Sequence, residues 1–96
     1  MAVHHGGAGT TTAAARAGCG QLIVPKLYDQ YYWLHRVQQL GIGVGLSPEN
    51  LSVSAVTSAV RECMQPAIAG CARSLANWIK LREAHRAAAR LLGEFG

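Results

Sequence analysis

Residues 3–18, VHHGGAGTTTAAARAG, narrow what this chain can fold into more than any other stretch. Its most flexible residues stand directly against its best helix formers. Glycine lets a backbone turn sharply, and alanine has the highest helix propensity. Residues 2–5 read as a strand stub, Gly6, Gly7 and Gly9 as a tight loop, and residues 10–17 as a short helix closed by Gly18. The apolar run QLIVP, residues 21–25, reads as a buried parallel strand ended by its proline. After the loop KLY, the stretch DQYYWLHRVQQLG puts Trp33, Val37 and Leu40 on one helical face, and Gly41 ends that helix. GIGVGL, residues 41–46, reads as a short glycine-rich strand.

From there the pattern is helical. Ser47 is a good N-cap and Pro48 suits a first helical position. Leu51, Ala55, Val56, Ala59, Val60, Cys63 and Met64 make an apolar stripe. Pro66 restarts the helix, and Ile68, Cys71, Ala72, Leu75, Trp78 and Ile79 continue the spacing. Ala84, Ala87, Ala88, Leu91 and Leu92 carry one more face. Two segments follow: residues 1–46 as a βαβα unit and residues 47–96 as two or three helices of the same domain. Alternation of this kind predicts an α/β layer with two or three parallel strands. So small a sheet, beginning at the first residues, reads as the second half of a doubly wound domain.

Composition removes several classes. Ninety-six residues allow one small domain, and half of them are hydrophobic, too many for a disordered chain. The net charge is +4, and six of nine basic residues lie spaced between Arg61 and Arg90. Spacing along helix marks a solvated face, not the dense patch that nucleic acid requires. No stretch approaches the length of a membrane span. Three cysteines without a CxxC spacing fit neither a disulfide framework nor a zinc site. Reduced thiols imply a cytoplasmic protein, with Cys63 and Cys71 as small core hydrophobes. His4 and His5 would point to opposite faces of a strand, and no third ligand lies nearby in sequence, so no metal is expected. His35 and His85 fall in helical patterns, as surface or packing residues.

A strand that passes through glycines into a helix start is one way to hold a phosphate. The first helical turn has N–H groups without partners, and the helix dipole adds positive charge there. Gly7, Ala8, Gly9 and Thr10 would offer amides, Thr10 and Thr11 hydroxyls, and His4 or His5 a charged hydrogen bond. The loop alone fits a tight corner equally well, since it is neither a Walker loop nor GxGxxG. Asp29 and Gln30 follow the second strand. They would share the carboxyl edge of the sheet with the glycine loop, where ligands bind in open α/β sheets. A carboxylate beside an amide suits a polyhydroxyl ligand; a helix cap is the plainer role for Asp29.

Taken together and in order, HHGGAGTT, RAG, VPKLYDQYYWLHRV and LGIGVGL resemble the donor-binding domain of family 1 glycosyltransferases. The likeness is to the sterol glucosyltransferases and to the bacterial enzymes that act on macrolides and glycopeptides. It covers residues 2–46 by motif and the rest by helical pattern. That resemblance implies the GT-B architecture, two Rossmann-like domains facing a cleft, of which this chain is a partial Rossmann-like half-domain. It implies a nucleoside-diphosphate sugar donor, UDP-linked in the nearest relatives, and transfer to an acceptor hydroxyl with inversion. By the same resemblance His4, Gly7, Ala8, Gly9 and Thr10 bind the donor diphosphate, Asp29 and Gln30 bind the sugar, and Trp33 packs beside the sugar pocket. No cofactor beyond the donor substrate and no catalytic residue is implied here.

The chain departs from the family in three ways. Gly20 stands where proline is usual, and LREAHRAA stands where an Asp-Gly pair often precedes the last helix. The acceptor domain, the catalytic base and the nucleotide-stacking half of the donor domain have no counterpart in these residues. A part of a larger glycosyltransferase, inactive alone, is therefore the expected identity. A stand-alone nucleotide-sugar binder and an interaction module remain the alternatives.

Overall fold

The computed structural model describes residues 1–95, with side chains through residue 93. Residue 96, the end of the second expected segment, lies outside the described residues. Three strands, β1 (Ala2–His4), β2 (Gln21–Ile23) and β3 (Gly43–Gly45), alternate with α1 (Ala8–Arg16) and α2 (Tyr28–Gln39). Two further helices, α3 (Val53–Cys63) and α4 (Pro66–Phe95), complete the chain. The strands form one parallel sheet in the order β1-β2-β3. Val3 pairs with Leu22, and Leu22 with Val44.

Two predicted glycine stops are present and share one geometry. Gly18 has φ 75°, its N–H donates to Ala15, and the Cys19 N–H donates to Ala14. Gly41 has φ 69°, its N–H donates to Gln38, and the Ile42 N–H donates to Val37. Each is a Schellman ending, which a left-handed residue makes possible. These stops turn each helix back into the next strand after very few residues.

The sheet is covered on both faces. Ile23 packs with Val37, Ile42 and Ala72, while its neighbour Leu22 packs with Ala59 and Cys63 on the other side. Alternation along β2 thus feeds two cores, as expected of a strand buried on both faces. The glycines of β3 admit α2. A Cβ on Gly45 would stand 2.6 Å from Leu34 Cδ2, so a larger residue would push α2 away.

The helical half differs from the expectation in its boundaries. Ser47 does not cap a helix: it closes a turn in which the Asn50 N–H donates to its carbonyl at 3.0 Å. Its hydroxyl donates to Glu49 Oε2 at 2.8 Å. The cap is Ser52, whose Oγ accepts the Ala55 N–H at 3.1 Å. The helix therefore starts later, and Leu51 and Met64 of the expected stripe are exposed. Pro66 opens a single helix of 30 residues that runs straight through LREAHRAA. On α4, Ala72 and Ala76 are buried, while Cys71 and Trp78 are exposed. Close packing sets the residue at the contact: a Cβ on Gly18 would lie 3.3 Å from that of Ala76, so position 76 admits nothing larger than alanine, while Ile68 and Leu75 pack partly against the two cores.

Candidate functional site

Parallel strands end on one edge, so the loops after β1 and β2 lie side by side. After β1 the chain passes through His5 and Gly6 to Gly7, the N-cap of α1, with φ −65° and ψ 150°. The helix starts at Ala8, two residues earlier than expected. The Gly7 carbonyl accepts the Thr11 N–H at 2.9 Å, and no side chain caps this end. The N–H groups of Ala8, Gly9 and Thr10 have no partner among the described residues. All three residues are exposed. Their first turn carries no acidic residue. A Cβ on Gly7 or Gly9 would meet nothing within 4 Å. This end of α1 is open, uncapped and positively polarised.

The threonines divide. The Thr11 hydroxyl donates to the Gly7 carbonyl at 2.7 Å, and Thr11 is buried. It is therefore not the spare donor it was expected to be, because residue 11 sits on the core side of the helix. The Thr12 hydroxyl donates to Ala8. Thr10 keeps an exposed hydroxyl without a partner among the described residues.

The two histidines divide as well. The Gly6 N–H donates to His4 Nδ1 at 2.9 Å, which puts the ring proton on Nε2. Nε2 in turn donates to Gln21 Oε1 at 2.7 Å, and the Gln21 amide donates to the Thr11 carbonyl at 3.2 Å. Gln21 is wholly buried, so this relay ties β1, β2 and α1 together under the loop. Both ring nitrogens of His4 are engaged by the protein, and His4 reaches a ligand only by giving one up. His5 is exposed; its Nδ1 donates to the Val24 carbonyl at 3.1 Å. Its Nε2 has no partner among the described residues.

Gln21 was not singled out in the sequence. Its signal there is a polar residue at the head of the apolar run QLIV. Replacing it with leucine, of similar size, strands the His4 Nε2 proton, while the Thr11 carbonyl, inside α1, keeps its helical bond. The expected loss is about 1–3 kcal/mol, from one polar group left unpaired. The urea midpoint of Gln21→Leu against the parent chain measures it.

The second loop brings Asp29 and Gln30 to the same edge. Helix α2 has Leu27 at its N-cap, so Asp29 lies inside the first turn and does not cap it. Its carboxylate is exposed, without a hydrogen-bond partner among the described residues. The Gln30 Oε1 accepts the Lys26 N–H at 2.7 Å and the Leu27 N–H at 3.1 Å. This folds the loop over the helix start and leaves the amide nitrogen of Gln30 to donate. Gly6 joins the two loops. Its φ is 94°, and a Cβ there would lie 2.9 Å from Ile23 Cγ2 and 3.0 Å from the Gln30 carbonyl. Only glycine both takes that conformation and lets the first loop rest on the second.

The remaining candidates stand apart from this edge. Trp33 is half-buried and lines a separate hollow between α1, α2 and α4. His35 and His85 are exposed on α2 and α4. Among the described residues no cluster of three histidine, cysteine or acidic side chains could hold a metal ion.

The chain as a whole has known relatives. Residues 1–88 match the family described as erythromycin biosynthesis protein CIII-like, C-terminal domain. The chain belongs to that family. It is 39% identical over 90 residues to the vancomycin aglycone glucosyltransferase of Amycolatopsis orientalis, covering 94% of this chain and 22% of that protein. It is 43% identical over 67 residues to a sterol 3-beta-glucosyltransferase of Arabidopsis thaliana, covering 69% of this chain and 11% of that protein. Among solved structures it is similar to the glycotransferase of kitacinnamycin, with a TM-score of 0.79 and 24% identity. That match covers 96% of this chain and 24% of the other. The fold is therefore that of a GT-B carboxyl-terminal domain, and the chain spans less than a quarter of the length of these relatives. No described helix is long and apolar enough to cross a membrane.

Proposed function

We propose that this chain is the diphosphate- and sugar-binding part of a glycosyltransferase that uses a nucleoside-diphosphate sugar, with UDP as the proposed nucleotide. The observation that carries this reading is the junction at Gly6, which sets the open start of α1 against Gln30. The amides of Ala8, Gly9 and Thr10 and the free nitrogen of His5 meet the diphosphate. His4 holds the loop in place through the Gly6 N–H. Asp29 accepts, and Gln30 donates, hydrogen bonds to the sugar hydroxyls.

The sugar passes to an acceptor hydroxyl with inversion, and the nucleoside diphosphate leaves as an anion. Its charge grows as the glycosidic bond breaks. Fixed donors aimed at it bind the transition state more strongly than the ground state. The helix amides supply that charge stabilisation, so this role calls for neither a metal nor a resident cofactor. The acceptor domain and the base that deprotonates the acceptor belong to another part of the protein, and this segment does not turn over alone. Its free cysteines support a cytoplasmic location for the enzyme.

Calorimetric titration of the chain with UDP, uridine and inorganic pyrophosphate tests the reading. UDP and pyrophosphate are expected to bind at millimolar concentration, and uridine is not, because the phosphate contacts are here and a nucleotide-stacking surface is not. Equal binding of uridine and UDP, or no binding of either phosphate, contradicts it.

A further inference from the structure

Thr11 and Gln21 are the buried polar side chains among the described residues, and Gln21 has no exposed surface at all. A polar side chain out of reach of water must bond to protein. Gln21 does so at both ends of its amide, and neither end can be exchanged for the other. The Thr11 carbonyl can only accept, so the Gln21 Nε2 faces α1, at 3.2 Å. That turns Oε1 towards β1. Oε1 can only accept, so His4 must carry its proton on Nε2, 2.7 Å away. A ring protonated there keeps a lone pair on Nδ1, which takes the Gly6 N–H at 2.9 Å. Gly6 is buried with φ 94°, so its N–H needs that partner. One carbonyl of α1 thus fixes, through two side chains, which way the amide ahead of α1 points.

We propose that Gln21 is a positioning residue for the diphosphate loop, acting through the tautomer of His4. This rests on the donor-site reading above and adds to it a residue of β2 that itself touches no ligand. With the relay intact, the Gly6 N–H points into the His4 ring and the loop rests on Ile23 and Gln30. The amides of Ala8, Gly9 and Thr10 then stand in one fixed arrangement at the start of α1. Donors set in advance bind an anion without the cost of ordering them first. Without Gln21, no acceptor faces the His4 Nε2, and the ring can carry its proton on Nδ1 instead. That proton would meet the Gly6 N–H head-on, and the turn at Gly6 would have to open. Leucine at position 21 fills the space but removes the selection of tautomer. Its effect on binding therefore comes from the ring and not from a void.

Long-range proton–nitrogen NMR of the isotope-labelled chain reads the tautomer directly, without ligand, in mildly alkaline buffer where an imidazole is neutral. In the parent chain His4 is expected as a single Nε2–H tautomer. In Gln21→Leu the ring should show both tautomers, and the Gly6 amide should exchange with deuterated water about tenfold faster, the scale of one lost hydrogen bond. UDP, titrated by calorimetry in the same buffer, is the ligand probe. Its affinity should fall about three- to tenfold in Gln21→Leu, again the scale of one hydrogen bond. It should be unchanged in Ala76→Gly, which weakens the buried contact between α4 and Gly18 without touching the relay. A parent His4 protonated on Nδ1, or present as both tautomers, overturns the proposal whether or not Gln21→Leu folds. So does a folded Gln21→Leu chain that keeps the parent's tautomer or binds UDP as tightly as the parent. A parent that shows the expected tautomer but binds no UDP removes the donor-site reading and this role with it; a parent that binds UDP beside an unaffected Gln21→Leu removes this role alone.

Discussion

Replacing Gly43 with alanine is expected to abolish cooperative folding of this chain. A Cβ at position 43 would overlap the backbone carbonyl oxygen of Gln21, its partner in the sheet, and would stand 2.5 Å from Val37 Cγ1. Neither neighbour can yield. Gln21 holds the hydrogen bonds to His4 and Thr11, and Val37 is a core residue only 2% exposed. Ordinary overpacking costs about 1–3 kcal/mol, and overlap with a sheet carbonyl exceeds that. A domain of this size has about 5–15 kcal/mol in total, and a small one sits near the lower end, where a loss of about 4 kcal/mol or more removes most of the margin. Thermal melts followed by circular dichroism measure it, with Gly70→Ala as the control. A Cβ at Gly70 meets nothing within 4 Å, so that change should stabilise α4 by about 0.5–1 kcal/mol. A Gly43→Ala chain that melts like the parent would show that β3 does not pair with β2 in this register.

Gly9→Asp is expected to move stability and ligand binding in opposite directions. Position 9 lies in the first turn of α1, in open space, with no acidic residue nearby on that turn. A carboxylate there meets the positive end of the helix dipole and should stabilise the fold by about 0.3–1 kcal/mol. On the proposed reading, the same carboxylate occupies the place of the diphosphate and repels it. Two like charges about 5 Å apart near a protein surface cost about 1–3 kcal/mol, roughly a 5- to 150-fold loss in UDP affinity. A merely structural glycine corner would show the gain in stability without any such loss. UDP affinity unchanged in a stabilised Gly9→Asp chain would therefore place the ligand elsewhere.

What could be read from the sequence follows from how local each cause is. Gly18 and Gly41 act within one turn of their own helices, and both ends were legible. So was the α/β alternation, because each strand is a short apolar run bounded by glycine or proline. Ser47 shows the limit. Its sequence, SPEN, is as good a helix start as a turn, and the choice went to the turn because Ser52 offers a second cap five residues on. The stripe on α3 and α4 was over-read because helical spacing does not say how closely a neighbour approaches. Gly18 comes near enough to admit only alanine at position 76, so Val60, Ile68 and Leu75 reach the cores only in part, while Leu51, Met64 and Trp78 lie exposed. At the site, the glycine loop and Asp29–Gln30 were visible as motifs. The separate roles of His4 and His5 were not, because they depend on Gln21 and Val24, which sit on the neighbouring strand and its end.

The most direct measurement of the central claim is a titration of the isotope-labelled chain with UDP, followed by amide NMR. If the open start of α1 holds the diphosphate, the largest shifts fall on Ala8, Gly9 and Thr10, with smaller ones at Gly6 and Gly7, and they saturate together. Absence of shifts at these amides at millimolar UDP, or shifts centred on α3 and α4, would contradict it.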